Sequence, residues 1–314
     1  MSLLVTGSIG IDTVEAPWGK VVDALGGSGV YFAYAASFFT PVRLVGVVGD
    51  DCAKDFLKPL QENPRIDLSG LEIRKGSKTF RWHGRYREDA NLRDTIGVEL
   101  NVLAEKGPEI PPQFRDSRFV FLANTHPALQ LQLLEQLESP ALVVADTMDL
   151  WIQNEPQLLW QLVGRIDGLV LNDSEARMMT RQSSVILAGT QIAEQIQGDA
   201  DARRRRTLPG GFVVIKKGEH GSLLFAEGEV VPLPGYPARK VIDPTGAGDC
   251  FAGAMMGHLA AVGDCAHPTL HRALAYGTVT ASLALEDFSL HRLRGIDRGE
   301  IDRRLAEFER MLTL

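Results

Sequence analysis

Residues 240–259, KVIDPTGAGDCFAGAMMGHL, hold the groups best placed to do chemistry. Lys240 to Ile242 read as the end of a strand. Asp243-Pro244-Thr245-Gly246 follows as a turn, because Pro and Gly end regular structure. From Gly248 onward, Phe251, Ala254, Met255, His258, Leu259 and Val262 recur at helical spacing on one face. Gly246 and Gly248, with Ala247 between them, leave backbone N–H groups bare at the start of this helix. Together with the positive end of the helix dipole, those groups form a site for an anion. Asp249 stands beside it in the first turn. A carboxylate there either caps the helix or takes a proton from a hydroxyl while the N–H groups hold charge on a migrating phosphoryl group. Two glycines around one turn favour the second reading. Two other phosphate motifs are excluded. A P-loop needs Lys-Ser/Thr after its last glycine, but Ala254-Met255 follow Gly253, and a dinucleotide fingerprint would need glycine where Phe251 stands.

Other candidates sit where strands end. Asp12 follows the apolar strand Leu3 to Thr6 and reads either as a turn residue or as a carboxylate at the mouth of a sheet, where open α/β folds bind ligands. Gly26-Gly27-Ser28-Gly29 opens a helix over 30–39 that carries Tyr31 near its start, and glycines there permit close backbone approach. Asn124 and Asp146 follow the strands predicted at 119–122 and 141–145. Asn172 to Glu175 follows the strand at 168–171 and fits a capping box. Lys216 to Gly221 joins the strands at 212–215 and 222–225.

These elements imply a scaffold. Strands and helices alternate along all 314 residues, which predicts an α/β fold with a mostly parallel sheet covered by helices on both faces. Further helices are predicted at 53–62, 128–138, 184–197, 267–285 and 298–311. Residues 11–24 read as a hairpin bent at Pro17 and Gly19. Residues 68–95 are rich in charge and aromatics, and over 79–86 they alternate with period two, as in an exposed strand with one apolar face. The two segments together predict a small β lid on a single domain spanning 1–314. Arg203 to Arg206 reads as solvated surface without a role.

Composition narrows the class. An apolar content of 45% suffices for a large core, and a net charge of −7 argues against a nucleic-acid partner. No apolar run is long enough to span a bilayer, and no basic signal-peptide start is visible. Three scattered cysteines, Cys52, Cys250 and Cys265, fit a reducing compartment, so a cytoplasmic location is expected.

DPTGAGD, Gly26-Gly27 and Asn172-x-x-Glu175 together resemble the signatures of the ribokinase-like (PfkB-type) carbohydrate and nucleoside kinases, and the resemblance covers nearly the whole chain. It implies ATP and Mg²⁺, and transfer of the γ-phosphoryl group to a hydroxyl of a small sugar or sugar-like acceptor. Carried over residue by residue, it makes Asp249 the base, with Gly246, Ala247 and Gly248 as the anion site. Asp12, Gly26, Gly27, Ser28, Tyr31 and Asn124 become acceptor contacts. Asn172, Lys216, Gly218, Gly221 and Thr245 meet the nucleotide, and residues 285–288 close over its adenine. Glu175 acts on Mg²⁺ through water, and Asp243 begins a signature that in some relatives touches a monovalent cation such as K⁺. Tyr31 stands where the family usually has Asn.

Three other readings stand beside the sugar kinase. Tyr31, Trp82 and Tyr86 could stack on a base, which gives a nucleoside kinase. A sugar-binding regulator without catalysis is opposed by the intact Asp249 and its glycines, and a nicotinamide oxidoreductase by the missing fingerprint. An exposed lid strand offers an edge for a homodimer.

Overall fold

The structure, a computed structural model, describes residues 2–198 and 211–313, so the arginine run at 203–206 lies outside the described residues. The strands in chain order are β1 (Leu3–Thr6), β2 (Gly10–Ala16), β3 (Gly19–Gly26), β4 (Val42–Gly49), β5 (Ile66–Arg74), β6 (Phe80–Tyr86) and β7 (Arg93–Glu99). They continue with β8 (Phe119–Leu122), β9 (Leu142–Asp146), β10 (Gly168–Asn172), β11 (Phe212–Lys216), β12 (Ser222–Ala226) and β13 (Glu229–Leu233). The helices are α1 (Ser28–Ser37), α2 (Lys58–Gln61), α3 (Pro127–Glu135), α4 (Asp149–Asn154), α5 (Pro156–Val163) and α6 (Asp173–Thr180). After them come α7 (Val185–Gly198), α8 (Ala247–Val262), α9 (His267–Ala284), α10 (His291–Arg294) and α11 (Arg298–Leu312).

Nine strands form one sheet in the order β13-β12-β11-β10-β9-β8-β1-β4-β5. From β5 to β11 every neighbouring pair is parallel; β12 and β13 add an antiparallel edge. Strands made of unbroken Val, Leu, Ile and Phe must be covered on both faces. Alternation delivers the two cores. Leu3, Val5, Phe119, Phe121, Phe212 and Val214 pack on one face with Phe32 of α1, Met255 of α8 and Val279 of α9. Leu4, Val120, Leu122, Val213 and Ile215 pack on the other with Leu159 and Leu162 of α5 and Ile192 of α7.

A second sheet, β3-β2-β6-β7, is the lid. Residues 68–74 of the predicted lid segment are not part of it: they belong to β5, which pairs with β4 in the large sheet. A half-exposed edge strand has the same period of two as a lid strand, so the pattern alone cannot separate them. The lid strand β7 runs on to Glu99, and its outer residues Ile96 and Val98 are exposed. The helix predicted at 53–62 is a 3₁₀ turn, Lys54–Leu57, followed by the single turn of α2 with Pro59 in its first turn.

Strand order reverses between β1 and β8. The chain leaves β1 toward β4 on one side, and β8 begins the series on the other. Ligands in open α/β sheets bind at such a switch point, beyond the carboxyl ends of the strands. Asp12, Asn124, Asp146, Asn172 and Lys216 all lie at or just beyond those ends, and the lid is inserted there.

Candidate active site

Helix α8 starts at Ala247, and its N-cap residue Gly246 has φ 75° and no side-chain cap bond. A side chain at Gly246 would be strained at that φ and would run into the Tyr31 ring. Tyr31, 2% exposed, therefore packs its ring against the turn and does not face open solvent. The Lys216 amine, at the end of β11, lies 2.7 Å from where a Cβ on Gly248 would stand. The Ala247 N–H donates to the Pro244 carbonyl at 3.2 Å, so the helix tip combines the N–H groups of Gly246 and Gly248 with a cation, as an anion site requires.

Carboxylates surround this tip. Asp249, in the first turn of α8, has its pKa raised by burial, against which Lys216 and Arg93 act. Asp146, at the end of β9, is 6% exposed, and its Oδ1 is buried without a partner. Burial, and next the charge of Asp249, push its pKa well above the usual carboxylate range. Lys216 opposes the shift at both acids, and Arg93 opposes it at Asp249. Asp12 lies on β2 and is 4% exposed. A Cβ at Gly26 would overlap its carboxylate, so only glycine leaves room for it there. Its Oδ1 is buried without a partner, while the Gly27 N–H donates to the carboxylate. Burial, then Asp243, then Asp249 raise its pKa to about 7.

Asp243 is 1% exposed. Its Oδ1 accepts from the Thr245 N–H at 2.9 Å, and its Oδ2 is buried without a partner. Residues 285–289 come to this carboxylate: the Leu285 carbonyl accepts from the Ile242 and Asp243 N–H groups, and the Ser289 N–H donates to Asp243. Phe288 packs against the lid hairpin at Gly19.

Asn172 and Glu175 form the reciprocal capping box of α6. The Asn172 N–H donates to Glu175 Oε2 at 2.7 Å and the Glu175 N–H to Asn172 Oδ1 at 2.8 Å. One Glu175 oxygen is thereby engaged. Burial raises its pKa, with Lys216 opposing. Gly218 and Gly221 have φ 56° and 83° in the loop after Lys216, and Asn91 of the lid presses on Gly218.

Ser28 and Asn124, expected as acceptor contacts, also hydrogen-bond within the protein. The Ser28 N–H donates to Ser8 Oγ at 2.9 Å, and the Ser8 N–H donates to Ser28 Oγ at 3.2 Å, a strap between α1 and the end of β1. Asn124 accepts from Trp151 Nε1 at 3.0 Å and donates to Met148 Sδ at 3.1 Å. The lid supplies groups that the motifs did not show. Tyr86 is buried, and its hydroxyl meets Thr245 Oγ1 at 3.3 Å. Arg93, paired with Tyr86 across β6 and β7, faces Asp249 and Glu175. Because the lid rests on the turn, the open cleft of about 730 Å³ lies outside the carboxylate cluster. Trp18, Tyr86, Arg87, Asn91, Glu219 and Lys240 are among the residues that line it.

A nine-stranded α/β sheet, a β lid and a first-turn carboxylate at a glycine-bared helix tip define the ribokinase-like small-molecule kinases. Residues 16–292 match the pfkB family of carbohydrate kinases, and the chain belongs to that family. It is a phosphotransferase that moves a phosphoryl group from ATP to an alcohol group. It is 30% identical over 263 residues to the cytidine kinase of Thermococcus kodakarensis, covering 82% of this chain and 87% of that protein. It is 26% identical over 288 residues to the bifunctional protein HldE of Pseudomonas savastanoi, covering 88% of this chain but 56% of that protein, so it spans little more than half of it. Burkholderia thailandensis nucleoside kinase in complex with inosine superposes with a TM-score of 0.75 at 18% identity, covering 97% of this chain and 98% of that one. Among the described residues, no helix is long and apolar enough to cross a membrane.

Proposed function

We propose that the acceptor is a small sugar or sugar-like alcohol held between Asp12 and the α8 tip, with Asp249 as the base. The observation that carries this reading is the convergence of Asp12, Asp249, Lys216 and the N–H groups of Gly246 and Gly248 at the strand switch point. Asp12 offers one buried carboxylate oxygen without a partner, which suits an incoming hydroxyl. The Gly27 N–H holds that carboxylate in place, and Asp249 takes the proton of the attacking hydroxyl. Lys216 and the N–H groups of Gly246 and Gly248 stabilise charge on the phosphoryl group as it moves, while the Ala247 N–H is spent on the Pro244 carbonyl.

The residues also fit Mg²⁺. Among the described residues, no group of three or more His, Cys, Asp or Glu could hold a metal alone. Mg²⁺ needs only one or two carboxylates beside substrate phosphates. The remaining Glu175 oxygen, with Asn172 beside it, would supply that share, and the ion when bound would neutralise phosphate charge. The orphaned Asp243 Oδ2 suits a monovalent cation in the same way.

A second reading, a nucleoside kinase, is favoured by the cytidine kinase similarity and by Trp18, 71% exposed on the rim of the cleft. ADP release measured over sugars, polyols and nucleosides separates the two. A sugar or polyol as best acceptor supports the first reading, and a nucleoside supports the second. No ADP release with any of them sinks both. In the same assay, K⁺ should raise the rate several-fold over a bulky organic cation in wild type and leave Asp243→Asn unchanged. Equal rates with both cations in wild type would remove the Asp243 assignment.

The exposed edge of β7 suits pairing with a second copy of the lid, which gives a homodimer. Light scattering should then show twice the chain mass, falling to one chain mass when Ile96 and Val98 are replaced by Lys. A monomeric wild type at all accessible concentrations would end this proposal.

A further inference from the structure

The lid carries four arginines near the site, and three of them are committed. Arg81 pairs with Asp23 at 3.0 Å, Arg85 with Glu15 at 2.6 Å, and Arg87 with Asp94 through two bonds of 2.7 and 3.0 Å. Arg93 forms no salt bridge among the described residues. Its guanidinium sits over the Trp82 ring, 5.7 Å from the centroid, and it bonds the Tyr86 hydroxyl. A ring face and one hydroxyl leave most of its five N–H donors unspent. A planar fork in that condition fits a phosphoryl group, which it binds through paired N–H···O bonds.

The lid's two anchors fix where that fork points. Tyr86, opposite Arg93 in the β6–β7 ladder, is joined to Thr245 in the anion turn. Asn91, two residues before Arg93, presses on Gly218 in the loop after Lys216. Arg93 therefore stands on the lid side of the gap whose floor is the α8 tip, with Lys216 on the sheet side.

We propose that Arg93 is a further catalytic residue, whose guanidinium contacts the transferring γ-phosphoryl group from the lid while Lys216 contacts it from the sheet. This rests on the reading of Asp249 as base. In the step, the acceptor oxygen forms a bond to the γ-phosphorus and the bond from that phosphorus to the β–γ bridging oxygen breaks. The electron pair stays on ADP and the hydroxyl proton passes to Asp249. Arg93 moves no proton. It offsets charge on the equatorial oxygens, as a mobile arginine does in other phosphoryl transfers. A closed lid thus completes the site, and an open one leaves bound ATP without its second cation.

The test is Arg93→Ala, with Arg93→Lys beside it. Arg93 is exposed, so both variants keep the fold. For Arg93→Ala, kcat should fall about 100-fold, the lower end of the range for loss of one transition-state donor, with the acceptor KM within about 2-fold of wild type. Added guanidinium ion should restore part of that kcat, and Arg93→Lys should fall between the two. The acid limb of the kcat profile should also move to higher pH. Asp249 loses a facing cation and keeps Lys216 on β11, Asp146 on β9 and Asp12 on β2 around it. Wild-type kcat in Arg93→Ala overturns the proposal, as does a loss that guanidinium does not relieve and that leaves the pH profile in place. Asp249→Asn, measured alongside, keeps the two ideas apart. Its full activity would remove the base, whereas an inert Asp249→Asn beside an unaffected Arg93→Ala would remove Arg93 alone.

Discussion

Asp249→Asn should turn over acceptor at about one-hundredth to one ten-thousandth of the wild-type rate, the range for loss of a positioned base. The change is isosteric, so it leaves the shape of the α8 tip intact. It also leaves the cap intact: the N-cap residue is Gly246, with no side-chain cap bond. Helix stability should therefore move by only a few tenths of a kcal/mol. Nucleotide affinity should hold within about 3-fold, because Lys216 and the backbone N–H groups proposed for the phosphate remain. The pH dependence in wild type has a definite sign. A base must be ionised, and burial raises the pKa of Asp249 while Lys216 and Arg93 hold it back. Turnover should rise with pH through a limb above the range of free carboxylates, and the residual activity of Asp249→Asn should lack that limb. Single-turnover kinetics with ATP in excess, together with ATP titration by calorimetry, would decide it. Retention of more than about a third of the wild-type rate is incompatible with a base at this position.

How much of this could be read from the chain depends on where each signal lives. The α8 tip was legible because its elements are contiguous: a turn, two glycines, an acid and a helical stripe within twenty residues. The large sheet was legible for a similar reason, since strands buried on both faces are unbroken apolar runs. Asp12 showed only as an acid beyond a strand. Its raised pKa and its seat on Gly26 depend on contacts between β2 and the end of β3, which spacing does not report. Asp146 followed a predicted strand and looked like any turn acid. Only the fold sets it beside Asp249. Arg93 was invisible because it is one arginine in a charged segment, and what separates it from Arg81, Arg85 and Arg87 is that it forms no salt bridge among the described residues. The misplaced lid boundary at 68–74 has a physical cause as well: period two marks one exposed face and not which sheet the strand joins. Ser28 and Asn124 entered as acceptor contacts through the resemblance, and their bonds to Ser8, Trp151 and Met148 depend on contacts between elements that spacing does not report.

The second large effect concerns Asp12, where activity and stability should move in opposite directions. A carboxylate that accepts a hydroxyl hydrogen bond contributes about 1.5–3 kcal/mol, so losing it should lower kcat/KM for the acceptor by about 10- to 150-fold. Asp12→Asn should show that loss with the ATP KM little changed. Stability follows from the same burial. Asp12 ionises near 3.8 when unfolded and near about 7 when folded, because burial, Asp243 and Asp249 all disfavour its charge. Between those values the folded chain holds a proton that the unfolded chain has released, so this group's contribution to stability falls as pH rises. Above about pH 7 the penalty is complete, and three pKa units set an upper limit of about 4 kcal/mol. Asn carries no charge and escapes it. At pH 8 Asp12→Asn should melt several degrees above wild type, and near pH 4, where the folded-state Asp12 is already neutral, the two should coincide. Melting curves at the two pH values, beside acceptor kinetics, give a paired readout. A variant that melts below wild type at pH 8 would show that Asp12 is held there by favourable contacts, and the idea of a strained acid kept for its substrate would go with it. Unchanged acceptor kinetics would move the acceptor away from Asp12 altogether. The expected pair, a more stable protein that barely uses its acceptor, is what a functional site maintained against its own stability should show.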